Sequence, residues 1–231
     1  MEPADGRTDA RRSEPVNRHP ATTTHQDRPT ATPFTTPPSA AVYEMRTLRT
    51  DAEREEAAAL VQDRQRWLAM RKLPVPAQAD VPALFRDPQT KPTGLFEDGK
   101  LLACLIPQRD PDPGWGEGPG LFLGSVHTLP DRPDDIMRLI TLWASDFAAR
   151  QDLPAVRAEA LARHPLDADP IAALLRRLTD MGWVIRGSGT GREGERVARL
   201  ELAAEHRPGL STLIACRVHA PETSPDDRGS A

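Results

Sequence analysis

The sequence predicts an α/β fold built on a mixed, mostly antiparallel sheet with helices on both faces. Three observations point to it. Short apolar strand-like runs alternate with segments whose apolar residues recur at helical spacing. Asp98-Gly99 stands between the strand-like runs Thr93–Glu97 and Lys100–Ile106, a hairpin signal. The stretch Leu121–Leu161 reads as strand, turn, amphipathic helix and strand. Early antiparallel hairpins followed by a strand–helix–strand crossover require a mixed sheet.

The elements follow in order. Val42–Arg49 reads as a short strand. Asp51 is the candidate N-cap of the first helix, with Glu53, Glu55 and Glu56 in its first turns, where the helix dipole favours acids. Ala57, Leu60, Val61, Arg64 and Leu68 keep helical spacing, so this helix extends to about Met70, and Pro74 and Pro76 end it. Asp80–Arg86 makes a short second helix, followed by the hairpin. Gly114–Gly120 is a loop before the strand Leu121–His127. The central helix covers Ile136–Gln151, and the strand Ala155–Leu161 follows it. Another helix covers Asp169–Met181, with Ile171, Leu174, Leu175 and Leu178 on one face. Trp183–Arg186, Val197–Ala203 and Ser211–Val218 read as closing strands, and Gly187–Gly194 as a flexible connection between two of them. That glycine-rich segment lacks the GK[ST] ending and following helix of a phosphate-binding P-loop.

Residues 1–40 contain seven prolines and eight threonines, and Phe34 is their only aromatic residue. Such a segment cannot bury enough apolar surface to offset its chain entropy, so it reads as a disordered tail. Residues 221–231 read as a second polar tail, which leaves one folded domain over residues 41–220. The net charge is −4, and the five basic and five acidic residues of the first 40 cancel, so no nucleic-acid partner is expected. No apolar run approaches the roughly 20 residues of a membrane span, and no membrane partner is expected. The N-terminus carries no apolar secretory stretch. Cys104 and Cys216 lie in apolar strand-like runs and read as buried free thiols, which suits a reducing cytoplasm. No Cys/His cluster has zinc spacing.

Three segments carry a family resemblance: Arg64–Pro74 (RQRWLAMRKLP), Ile140–Ala160 (ITLWASDFAARQDLPAVRAEA) and Leu174–Trp183 (LLRRLTDMGW). In their order and spacing they resemble the GNAT acyltransferases, over roughly Tyr43–Val218. The resemblance implies a splayed central strand pair, Leu121–His127 and Ala155–Leu161. It implies acetyl-CoA as cofactor, its pantetheine arm in the wedge along Ser125, Val126 and His127. It implies acyl transfer to a primary amine of a small molecule or a protein, by direct attack on the thioester, with the Val126 N–H stabilising the oxyanion. Two positions depart from the family pattern. The phosphate loop, normally Gln/Arg-x-x-Gly-x-Gly/Ala, falls on Asp131-Arg132-Pro133-Asp134-Asp135-Ile136. Both small positions are lost, to Asp134 and Ile136. Pro133 removes a donor, and Arg132 alone opposes three acids. Asp and Pro there equally suit ordinary helix capping. The tyrosine that often serves as general acid falls on Leu178, a core position, and Tyr43 is the only tyrosine. These departures favour a second expectation, a GNAT-like domain without catalysis that serves as a binding module.

Within this frame Glu159 is a candidate base on the strand face it shares with Arg157; the alternative is an Arg157–Glu159 pair on a partly wet face. His127 is a candidate base at the end of its strand, or a solvent-facing histidine. His164 lies beyond the strand Ala155–Leu161, lining the cleft or in a loop. Arg132 and Asp134 are the loop positions facing the cofactor phosphates. Trp67 and Arg71 occupy the region that shapes the acceptor site, with core packing as the alternative for Trp67. The C-terminal strand LSTLIACRV offers an edge for a possible homodimer.

Overall fold

The computed structural model describes residues 43–216, except 74, 76–79, 110–112 and 193. The expected tails at 1–40 and 221–231 lie outside the described residues. The chain runs β1 (Tyr43–Thr47), α1 (Asp51–Met70), α2 (Val81–Arg86), β2 (Thr93–Glu97), β3 (Lys100–Arg109), β4 (Leu121–Thr128), α3 (Pro133–Arg150), β5 (Ala155–Leu161), α4 (Ile171–Asp180), β6 (Val184–Thr190), β7 (Arg196–Ala203), a 3-10 turn (Leu210–Thr212) and β8 (Ile214–Cys216). The eight strands form one sheet in the order β6-β7-β5-β4-β3-β2-β1-β8. Only β4–β5 and β1–β8 pair in parallel. The mixed, mostly antiparallel sheet expected from the sequence is therefore present.

Helices cover both faces. Leu48, Phe96, Leu101, Cys104 and Ile106 pack on one face against Ala57, Ala58, Leu60 and Val61 of α1 and Val81 and Phe85 of α2. Met45, Leu95, Ala103, Leu105, Leu121, Leu123 and Val156 pack on the other against Ile136, Leu139, Ile140 and Trp143 of α3 and Ile171, Leu175 and Leu178 of α4. Leu102 and Ala103 both join the second face, although side chains alternate along a regular strand. The register shift between Leu95 and Phe96 supplies the extra residue that allows this.

Local chemistry sets the boundaries. The N-cap of α1 is Thr50, not Asp51. The Thr50 hydroxyl accepts from the Glu53 N–H at 3.2 Å, and the Glu53 carboxylate accepts from the Thr50 N–H at 3.2 Å, a reciprocal capping box. Asp80 caps α2 by accepting from the Ala83 N–H at 3.0 Å. Asp98 and Gly99 both have positive φ, 51° and 79°, as a two-residue I′-type hairpin requires. α3 begins one turn earlier than its apolar periodicity indicates, because Pro133 is preorganised for a first helical position. β6 continues through Gly187 to Thr190, so half of the glycine-rich connection is strand. The expected closing strand Ser211–Val218 is a 3-10 turn followed by β8, which pairs with β1 of the same chain.

Arg54 fastens the first helical pair to the sheet. Its Nη1 donates to the carbonyl oxygens of Phe85 (3.3 Å) and Asp87 (2.8 Å), and its Nη2 to that of Thr90 (3.1 Å). All three carbonyls belong to the end of α2 and the turn into β2. Arg54→Met keeps the aliphatic stem and removes the donors. We expect it to lower stability by about 2–3 kcal/mol in urea unfolding. A loss within a few tenths of wild type would show that water replaces the guanidinium without cost.

Candidate functional site

β4 and β5 begin as a parallel pair, Leu121 opposite Val156, Phe122 opposite Arg157 and Leu123 opposite Ala158, and the pairing then stops. β4 runs on through Gly124–Thr128 and β5 through Glu159–Leu161 without partnering each other, while β5 stays paired to β7 along its whole length. On its other side β4 carries a bulge. Cys104 faces His127 and Ile106 faces Gly124, so Ser125 and Val126 together oppose the single residue Leu105. Ser125 takes φ 49°, in the left-handed region that a serine adopts only under constraint. Ser125 and Val126 thus have no register partner in either neighbouring strand. The central pair is splayed, and a strand edge lies open inside the wedge.

The same architecture occurs in solved acetyltransferases. A GNAT-family acetyltransferase from Streptococcus agalactiae 2603 superposes with a TM-score of 0.50 at 11% identity, covering 71% of this chain and 96% of its own. A provisionally named N-acetyltransferase from Lactobacillus plantarum superposes with a TM-score of 0.50 at 14% identity, covering 71% of this chain and 99% of its own. This is the GNAT fold. No family model and no curated protein sequence matches the chain. The likeness lies in the backbone, so the site must be read from this chain's own side chains.

In the GNAT fold as built here, His127 stands in the part of β4 that has left β5 while still paired to β3, and is buried, 7% exposed, against the edge of the Phe85 ring at 6.2 Å between centroids. It is not the solvent-facing histidine that its strand-end position suggested. Burial, and next the Arg64 charge, push its pKa down to about 4. Trp67 is half-exposed, held between the guanidinium of Arg64 at 4.4 Å and that of Arg71 at 4.2 Å from its ring centroid. It is therefore neither plain core nor a bare aromatic platform.

Glu159 spends its carboxylate on loops. Oε1 accepts from the Trp115 indole N–H at 2.8 Å and Oε2 from the Arg192 N–H at 3.2 Å. It does not pair with Arg157. Arg157, 3% exposed, instead meets Glu201 at 3.4 Å and donates to the carbonyls of Gly118 (2.9 Å) and Glu117. A Cβ on Gly116 would fall 2.5 Å from the Arg157 Nε, and Gly116 has φ 80°, so the loop before β4 reaches Arg157 only through a glycine. Glu201 also pairs with Arg186 at 2.6 Å; burial raises its pKa, but the hydrogen bonds from Arg186 and Arg157 lower it further, and the net direction is down. On this polar face Trp115, Gly116, Glu117, Arg186, Arg199 and Glu201 line a cavity of about 570 Å³. No sequence periodicity marks Trp115 or Arg199 as members of one site. The alternation of charged residues along β7 (Arg199, Glu201) is the one signal that could have found it.

The loop into α3 is occupied by protein contacts. Arg132 donates to Glu97 at 2.9 Å and to the Tyr43 hydroxyl at 3.4 Å. Asp134 pairs with Arg177 of α4 at 3.3 Å. No side chain caps α3, so the aspartates do not serve as caps in the way their position suggested. Leu178 is core at 6% exposure. His164 is exposed, in the turn after β5. Among the described residues no three His, Cys, Asp or Glu side chains gather as metal ligands, and no helix is long and apolar enough to cross a membrane.

Because His127 is held neutral in the folded chain, it sets a pH window. Below pH 6.5 the unfolded chain takes up a proton at this residue, whereas the folded chain does so only near pH 4. Stability therefore falls as pH drops from 6.5 to 4, by an amount on the order of 3 kcal/mol. Carboxylates with depressed pKa values, such as Asp146 and Glu53, lose their contribution at the lower edge of this window and below. We expect His127→Gln to flatten the decline between pH 6.5 and 4.5 in urea unfolding. A parallel decline in the variant would mean that His127 is hydrated and titrates normally.

Proposed function

We propose that this chain is an acyl-CoA-dependent N-acyltransferase, acting on a primary amine of a small molecule or a protein. The single observation that carries the reading is the wedge: β4 and β5 part after three paired residues, and the bulge leaves Ser125 and Val126 unpaired along its wall. An unpaired strand edge is what an amide-bearing arm such as pantetheine can pair with, so this half of acetyl-CoA fits the chain. The usual phosphate loop does not fit. Its three aspartates oppose the phosphates, Pro133 lacks an N–H, and Arg132 is held by Glu97 and Tyr43.

When bound, acyl-CoA supplies an acyl group activated as a thioester. The protein's part is to place the amine and polarise the carbonyl. Val126 in the bulge supplies the backbone N–H for the developing oxyanion. The acceptor approaches from the polar face, where Glu159 holds the Trp115 loop and the turn before β7 in place. His127 is the side chain we assign to take the amine's proton; Glu159 would do so only on releasing Trp115 or Arg192. His127 has the right state, since it is neutral at physiological pH, but its depressed pKa makes it a weak base. No tyrosine acid stands at Leu178, and a thiolate leaves without one. The free thiols Cys104 and Cys216 support a reducing, cytoplasmic setting.

A second reading, a binding module without catalysis, is favoured by one observation: the acidic loop is engaged with other side chains of the protein. Acetyl-CoA titrated calorimetrically into the full chain, followed by thiol release over a panel of amines, separates the two. The transferase reading expects micromolar binding and amine-dependent thiol release that falls about tenfold or more in His127→Gln. Binding without turnover on any amine would leave the module reading. Absence of binding at millimolar acetyl-CoA would sink the transferase.

A further inference from the structure

Arg64 is placed against the ordinary logic of a guanidinium. It stands in the second half of α1, stacked on Trp67 at 4.4 Å. Its Nη1 is buried and has no hydrogen-bond partner among the described residues. Arg64 as a whole is half-buried, and a guanidinium nitrogen shut off from solvent is normally forked onto a carboxylate or carbonyl. The charges that bear on Arg64 have the wrong sign for that. Arg71 sits on the same indole ring at 4.2 Å. Arg177 of α4 is close enough, with Arg71, to lower the Arg64 pKa further after burial has lowered it. The neighbouring His127 feels the Arg64 charge in turn.

The three arginines come from two elements. Arg64 and Arg71 stand one above the other toward the end of α1. Arg177 stands on α4, where Asp134 fixes it beside the first turn of α3 at 3.3 Å. That first turn is where a GNAT fold would hold phosphates, and its own loop is acidic. Of the three, Arg177 is the one held beside that turn, while Arg64 and Arg71 stand on α1, on the other face of the sheet, with Arg64 within reach of the Arg177 charge. Arg132 does not join them, being turned to Glu97 and Tyr43.

We propose that Arg64, Arg71 and Arg177 form an anion site at the mouth of the β4–β5 wedge that receives a phosphate or pyrophosphate group. A phosphate offers the acceptor that the buried Arg64 Nη1 lacks, and it supplies the counter-charge for two guanidinium groups gathered on one indole ring. Trp67 fixes the planes of two of them, which prepays part of the ordering on binding. The group can be the cofactor's own, in which case the inference rests on the acyl-CoA reading, or it can belong to a phosphorylated acceptor.

The test is calorimetric titration of inorganic pyrophosphate into the full chain, at low and moderate salt, for wild type and for Arg64→Gln, Arg71→Gln, Arg177→Gln and Arg132→Ala. We expect salt-sensitive binding that weakens about tenfold or more in Arg64→Gln and measurably in Arg71→Gln and Arg177→Gln. Arg132→Ala should leave it nearly unchanged. Arg64→Lys, which keeps the charge, should recover part of the affinity. If Arg64→Gln does not fold by thermal melting, the exposed Arg71 and Arg177 and the Lys variant carry the test. No pyrophosphate binding at millimolar concentration, or binding indifferent to all three arginines, overturns the site. Competition between pyrophosphate and acetyl-CoA assigns the site to the cofactor, and simultaneous binding assigns it to an acceptor's phosphate. Arginine-dependent pyrophosphate binding with no acetyl-CoA binding keeps the anion site and removes the transferase.

Discussion

Everything at the site depends on two parallel strands that pair for three residues and then part. A parallel ladder is held by evenly spaced bonds, and nothing in β4 or β5 alone stops it after Leu123 and Ala158. Each strand is instead committed elsewhere. β5 is paired with β7 over all seven of its residues, from Ala155 opposite Ala203 to Leu161 opposite Val197. β4 is bent by its own bulge against β3, with Ser125 forced to φ 49°. The bulge increases local twist and swings the end of β4 away from β5. An opened sheet would ordinarily be a liability, because unpaired N–H and C=O groups invite pairing. Here the same open edge lies between two central strands of the sheet and not on its rim.

Charge is distributed around this wedge in an inverted pattern. The first turn of α3 presents a dipole that attracts anions, and Asp134 and Asp135 already answer it. Asp134 then orients Arg177 from α4. The acid that spoils the loop is thus the same acid that carries a guanidinium to the loop's edge. Across the wedge Arg64 and Arg71 share one indole ring, and among the described residues no carboxylate forms an ion pair with either of them. A stable protein seldom assembles cations in this way without an anion to complete the set.

The fold was legible in the sequence because its signals are local. The Asp98-Gly99 turn, the Pro/Asp start of α3 and the apolar stripe Ile171-Leu175-Leu178 each act within a few residues. The errors were local as well: Thr50 rather than Asp51 caps α1, because the reciprocal bond needs Glu53 at the third position. The site was harder to read because its contacts span long separations. Arg157 reaches Glu201 and the carbonyl of Gly118, and Glu159 reaches Trp115, each about 40 residues away. No periodicity encodes such pairings. The depth of His127 was missed for the same reason, since Phe85 and Arg64 arrive from α2 and α1 and not from its own strand.

His127 and Arg64 stand close enough in this wedge for the charge of one to bear on the other. His127 stays neutral first because it is buried, and next because protonation would add a second charge beside the half-buried Arg64 guanidinium. An anion seated on Arg64, as proposed above, would cancel part of the charge that His127 feels. Burial, the larger cause of its lowered pKa, would remain, so the histidine would stay a weak base. By linkage the same coupling would make a protonated His127 a contributor to anion affinity. The acidic loop, the displaced arginines and the buried histidine then act as one electrostatic arrangement and not as three separate departures from a family pattern.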